Sequence, residues 1–131
     1  MANEAKLVQR LQDRLSQGIV AEDATILKGT ILQIGDANVL SASSADGEFF
    51  GGIAYADKVA DDGSTTLAVW TKGVFDMKLT TATIAAGEPV KIAGANLVAI
   101  ADDDTAANSN EIIGYALQDG ANDEVIEVRL K

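Results

Sequence analysis

The order of strand and turn signals in this chain runs through twice, and that repeat limits the fold more than any single motif. Ala86-Gly-Glu-Pro-Val-Lys-Ile92 matches Lys28-Gly-Thr-Ile-Leu-Gln-Ile34, with Gly29 and Gly87 58 positions apart. Gly94-Ala-Asn96 echoes Asp36-Ala-Asn38, and Ile113-Gly-Tyr-Ala116 matches Gly51-Gly-Ile-Ala54 at a separation of 62. The closing run from Asn122 to Leu130 parallels Thr66 to Lys72. Each half reads as strand, turn, short strand, loop, glycine-rich strand, turn, long strand. Many short strands divided by turns point to a barrel or a sandwich. Two copies fall short of the three or so that a solenoid needs, which favours closure. The expectation is an all-β protein, a single small β-barrel made from two similar halves with pseudo-twofold symmetry.

The halves meet in the stretch from Thr66 to Leu79. Phe75, Met77 and Leu79 alternate with Val74, Asp76 and Lys78, the period of a strand with one dry and one wet face. Leu67, Val69 and Trp70 form a second β-prone run. Thr71, Lys72 and Gly73 lie between the runs, and Gly73 tolerates a positive φ. The spacing predicts a hairpin. Gly51 and Gly52, side by side within a strand, predict a bulge or close backbone packing.

The first residues differ. Leu7, Leu11 and Leu15 recur every fourth position with Val8 beside them, and Lys6, Arg10 and Arg14 form a parallel basic row. This is the pattern of an amphipathic helix, with Asn3 as N-cap and Gly18 as stop. A helix that short is marginal alone in water, so it needs a surface. The predicted organisation is a helical arm over residues 1–20 and a β domain over residues 21–131. The arm packs either on its own domain or, through Lys6, Leu7, Arg10, Leu11, Arg14 and Leu15, on another subunit.

Composition removes most chemistry. The 131 residues contain no cysteine and no histidine, so Ser-His-Asp and Cys-His machinery and the usual zinc sites cannot be assembled. Ten basic against 20 acidic residues give a net charge of -10, which disfavours nucleic acid as a partner. No run approaches the roughly 20 apolar residues that span a bilayer, and the polar start Met-Ala-Asn-Glu-Ala-Lys lacks a signal-peptide core. Asp102-Asp-Asp104 invites calcium, but the alternate ligands, central glycine and terminal glutamate of an EF-hand loop are missing. Gly51-Gly52 lacks the lysine and the spacing of a phosphate loop. Asp57, Asp61 and Asp62 could be drawn as carboxylate pairs for glycoside hydrolysis, yet 20 acids in 131 residues create such pairs by chance. No cofactor and no metal is expected. Phe49, Phe50, Trp70 and Phe75 are the candidates for core or subunit contacts, because aromatic residues concentrate in both.

Taken together, Ile26-Leu-Lys-Gly-Thr-Ile-Leu32, Ser41-Ala-Ser-Ser-Ala-Asp-Gly47, Gly52-Ile-Ala54, Lys58-Val-Ala-Asp-Asp-Gly-Ser64, Thr71-Lys-Gly-Val-Phe-Asp-Met77, Ala86 to Ile92, Gly114-Tyr-Ala-Leu117 and Glu124-Val-Ile-Glu-Val-Arg-Leu130 resemble the bacteriophage capsid decoration, or cement, proteins. The resemblance runs from about Asp23 to the C-terminus. It implies a β-tulip-like barrel that forms trimers on the outer face of the phage head, at local threefold axes, where it stabilises the expanded shell. It implies the major capsid protein and neighbouring cement subunits as partners and no catalysis, and the cysteine-free, signal-free sequence fits synthesis in the host cytoplasm followed by assembly onto heads. Two other readings stand beside it: a virion-displayed glycan- or receptor-binding β-module, and a carboxylate hydrolase.

Overall fold

The computed structural model describes residues 15–35, 38–80, 82–101 and 111–130. They form ten strands: β1 (Leu15–Val20), β2 (Ile31–Ile34), β3 (Val39–Ala42), β4 (Phe50–Ala54), β5 (Thr66–Trp70), β6 (Val74–Leu79), β7 (Pro89–Gly94), β8 (Leu97–Ile100), β9 (Ile112–Ala116) and β10 (Val125–Leu130). The expected single barrel is not what forms. Each half closes on itself, in the orders β1-β3-β2-β4-β5 and β10-β6-β8-β7-β9. The duplication is complete in pairing. β1 runs parallel to β3 and antiparallel to β5, as β6 does to β8 and β10.

Two further expectations are corrected here. Thr66 to Leu79 is not a hairpin, because β5 pairs with β1 and β4 while β6 pairs with β10 and β8. Gly73, at φ 135°, carries the chain from one barrel into the other. The N-terminal helical arm is contradicted as well. Leu15–Val20 is a strand of the first barrel, and there is no α-helix among the described residues. The rest of the arm, residues 1–14, lies outside them. The leucine spacing that suggested a helix stops governing the chain at Leu15, where five residues of β1 find partners on β5.

The period of two works as read. Along β6, Met77 and Leu79 are buried while Val74, Asp76 and Lys78 are exposed, and along β10 Ile126, Val128 and Leu130 are buried while Val125, Glu127 and Arg129 are exposed. The inward residues of the first barrel (Val20, Leu32, Leu40, Ala54, Leu67 and Val69) form one core with Ile26. Their counterparts Leu79, Val90, Val98, Ala116, Ile126 and Val128 belong to a second core. The glycine-rich strand carries a bulge in each half: Leu32 pairs with Gly52 and Gln33 with Phe50, and Val90 pairs with Gly114 and Lys91 with Ile112. The predicted bulge is therefore present twice.

The second core extends beyond its own barrel. Ile31 and Ile53 of β2 and β4 belong to it, and Phe50 and Trp70 pack against it. Ile31 pairs with Ile53, and Ile53 with Trp70, so the three make one row on the outer wall of the first barrel. That wall covers one end of the second barrel. The Ile31 N–H donates to Asn96 Oδ1 at 2.8 Å, and the Asn96 N–H donates to Ser43 Oγ at 3.1 Å. Gly47 N–H donates to the Ile92 carbonyl at 2.9 Å, and Lys91 Nζ meets Asp46 at 3.1 Å. The contact is not reciprocal. The matching row of the second barrel, Pro89, Tyr115, Arg129 and Val74, leaves Tyr115, Arg129 and Val74 exposed. The halves therefore stack wall to end and are not related by a twofold axis.

Gly114 marks where the second barrel is tightest, since a Cβ there would strike the Arg129 carbonyl oxygen on the paired strand. A backbone atom cannot swing aside as a side-chain tip can. Gly114→Ala is expected to lower stability by about 1–3 kcal/mol, read as a lower midpoint in thermal unfolding followed by circular dichroism. An unchanged midpoint would mean that the strands can separate there at no cost.

Candidate interaction surfaces

At its other end the first barrel is closed by a lysine. Lys58 is 3% exposed. Its Nζ donates to the carbonyls of Glu22 (2.8 Å), Ala24 (3.3 Å) and Val59 (3.3 Å) and to Asp62 Oδ1 (3.1 Å). A buried ammonium is costly unless its protons are satisfied and a countercharge is near, and here both conditions hold. Backbone bonds between Ile26 and Lys58 in both directions tie the ends of the two long loops together. The second barrel makes the same bridge between Ile84 and Gly120, with a glycine in place of the lysine. The space that the lysine stem would need is filled by Ile126 and Leu79. Nothing in the sequence marks this latch, because Lys58 reads like any surface lysine and its partners come from residues up to 36 positions away.

The carboxylates that could be drawn as catalytic pairs have structural work. Asp57 accepts the Lys28 N–H at 2.6 Å, and Asp119 accepts the Ala86 N–H at 2.8 Å at the matching place in the other half. Asp61 and Asp123 both take positive φ, at 60° and 70°, in equivalent turns. Asp62 accepts the Ser64 N–H and the Lys58 ammonium. The Ser64 backbone bond and then Lys58 hold its carboxyl below the ordinary 3.8. No three acidic side chains converge as a metal site among the described residues, and Asp102-Asp-Asp104 lies outside them.

The aromatic candidates divide by position. Trp70 and Phe75 sit where the barrels meet, half-buried, with ring centroids 6.3 Å apart, and Tyr55 meets Trp70 edge-on at 5.3 Å. Trp70 and Phe75 border a cleft of about 340 Å³ together with Ile31, Ile53, Lys28 and Lys78. Phe50 is half-buried against the second core, while Phe49 is 53% exposed. Of the partner-contact candidates, Leu15 opens β1 opposite Trp70, and Lys6, Leu7, Arg10, Leu11 and Arg14 lie outside the described residues. Sequence reasoning missed the outer face of β6, β9 and β10, where Val74, Tyr115 and Leu117 are exposed around Arg129. A mixed face of this kind, with tyrosine and arginine among apolar residues, has the composition of a separable protein interface.

What this geometry offers is surface on a rigid scaffold, so the class it defines is a structural β-module. The family model described as phage cement protein matches residues 12–131, and the chain belongs to that family. It is a decoration protein of the phage capsid, with a structural and not a catalytic role. The fold is similar to the crystal structure of head fiber gp8.5 N base in bacteriophage phi29, at 12% identity and a TM-score of 0.55, covering 89% of this chain and 92% of that one. At that identity the likeness concerns the fold alone. No curated protein matches the sequence.

The latch yields a test. Lys58→Met leaves three carbonyls without their donor and is expected to cost about 1–3 kcal/mol, measured by chemical denaturation. Asp62 has a folded pKa below its ordinary 3.8, so its contribution is fully present above that pH and is lost as pH falls through the folded value. Asp62→Asn should be less stable than the parent near neutral pH, and the two should converge in acid. A gap that persists after Asp62 has protonated would contradict the charge-assisted role.

Proposed function

We propose that this protein binds the outer surface of the phage head as a trimer at local threefold axes and stabilises the expanded shell through the major capsid protein and neighbouring cement subunits. The observation that carries the reading is the family match over residues 12–131. The exposed face around Tyr115 and Arg129 supplies a surface of the right composition, and the net charge of -10 keeps the protein off nucleic acid. Cementing follows from linkage: contact area present only on the closed, expanded shell stabilises it by mass action. Many copies then add modest contacts over one lattice. The segment before β1 contributes Lys6, Arg10 and Arg14 to these contacts together with Leu7, Leu11 and, at the start of β1, Leu15.

A second reading, a glycan- or receptor-binding module displayed on the virion, draws on the cleft beside Trp70, where Lys28 and Lys78 flank an aromatic wall. A glycan array separates it from the first reading.

The purified protein should pellet saturably with expanded, undecorated heads and raise the temperature at which they open, and it should bind unexpanded heads weakly. Removal of residues 1–14, which stops short of β1, should reduce binding about tenfold if the basic row contributes a charge-assisted contact or two. Equal binding by the truncated protein would remove the segment from the interface. Absence of binding to any expanded head would overturn the cement reading.

A further inference from the structure

Barrels that pair their strands alike have the same docking elements, an outer wall and an end. Within the chain one of each is used: the wall row Ile31, Ile53 and Trp70 of the first barrel covers the end of the second, where Ile92 is 0% exposed. One of each is left open. In the equivalent row of the second barrel, Tyr115 is 42% and Val74 52% exposed. At the end of the first barrel the equivalent of Ile92 is Ile34, and it is 40% exposed. Beside Ile34 lie Phe49, Phe50 and Thr71, with Ile112 of the second barrel, around a groove of about 630 Å³. Apolar surface of this kind marks a place that a partner covers.

The contact inside the chain identifies the partner. A wall of this β-unit fits an end of this β-unit, because one such pair is already closed. The remaining wall and end are both open in the single chain, so a second copy has to bring them together. Charge agrees. Lys72 and Arg129 flank Val74 on the wall, while Glu48 and Glu111 directly precede Phe49 and Ile112 at the groove. None of the four meets an opposite charge among the described residues. Tyr115 and Arg129 stand where the first barrel has Ile53 and Trp70, and this wetter row suits a contact made between folded copies.

The two open patches adjoin. Thr71 lines the groove, and Lys72, Gly73 and Val74 lead from it onto the wall. Wall on end is a heterologous contact, since each copy gives a different patch, and such contacts close into rings or run on as filaments. Adjoining patches turn successive copies about a nearby axis, which favours the ring.

We propose that copies of this chain join wall to end, with Tyr115 and Val74 of one copy seated on Ile34 and Phe49 of the next. This rests on the reading of the protein as a trimer and supplies the contact for it.

Tyr115→Asp and Ile34→Asp each remove one patch at an exposed position, so both variants should keep the parent's circular dichroism. Alone, each should sediment as a single chain, its self-association weakened about tenfold or more by an aspartate forced into an apolar seat. Mixed, they should form a pair and nothing larger, because the mixture holds an intact wall on one variant and an intact end on the other. The chain has no cysteine, so Ile34→Cys mixed with Tyr115→Cys should give, on mild oxidation, the mixed disulfide in excess over like with like. A parent that sediments as a single chain at every concentration, variants that associate as the parent does, a mixture no larger than its parts, or thiols that pair at random would each overturn the proposal. So would groove amides already protected from exchange in the dilute single chain, the sign of a cover from the same chain. Binding of the same variants to expanded heads, followed alongside, decides the cement reading separately.

Discussion

The row Ile31, Ile53 and Trp70 is the contact on which the rest of the molecule depends. Each barrel is built from five strands of four to six residues, and a unit of about 60 residues buries too small a share of its surface to be secure alone. The row removes the weakness of one barrel with the wall of the other. Where they meet the second barrel, β2 and β4 are therefore buried on both faces, with Leu32 and Ala54 inward and Ile31 and Ile53 against the neighbour. The polar groups at the seam are matched rather than excluded. Asn96, held at φ 56° in the β7–β8 turn, receives the Ile31 N–H and returns its own to Ser43.

Stacking wall to end breaks the equivalence of two halves that pair their strands identically. The first barrel uses its wall and leaves an end; the second has its end covered and leaves its wall. At the opposite ends the halves diverge again, with Lys58 in a cage of carbonyls on one side and Gly120 under Ile126 and Leu79 on the other. A duplicated fold thereby acquires dissimilar surfaces without any change of topology. That suits a protein whose work is adhesion, since function then resides in faces while the barrels supply rigidity.

Much of the fold was legible because strands write themselves in alternation. Met77 and Leu79 against Asp76 and Lys78, or Ile126 and Val128 against Glu127 and Arg129, declare a wet and a dry face without help. The repeat was legible through glycine: Gly29 and Gly87 at φ 88° and 91° occupy the same turn, and Gly52 and Gly114 the same bulge. What alternation cannot say is which strand pairs with which. Thr66 to Leu79 reads as a hairpin because hairpins are the commonest way to join adjacent strands, but Gly73 leads into another sheet. Leu15 reads as the last leucine of a helix because the spacing of four continues up to it, while its partner Trp70 lies 55 positions away. Of the surfaces, the aromatic seam at Trp70 and Phe75 could be guessed from residue type. The Lys58 latch and the Tyr115–Arg129 face could not, since both depend on long-range register.

The wall-to-end stack makes one unusual assignment: Ile31 and Ile53 belong to the first barrel by sequence and to the second barrel's core by contact. Amide exchange on the double variant Ile31→Ala, Ile53→Ala tests it directly. Protection should fall most in β6 to β10, although both substitutions lie in β2 and β4. Loss confined to β1 to β5, with the second barrel as protected as before, would contradict the stack.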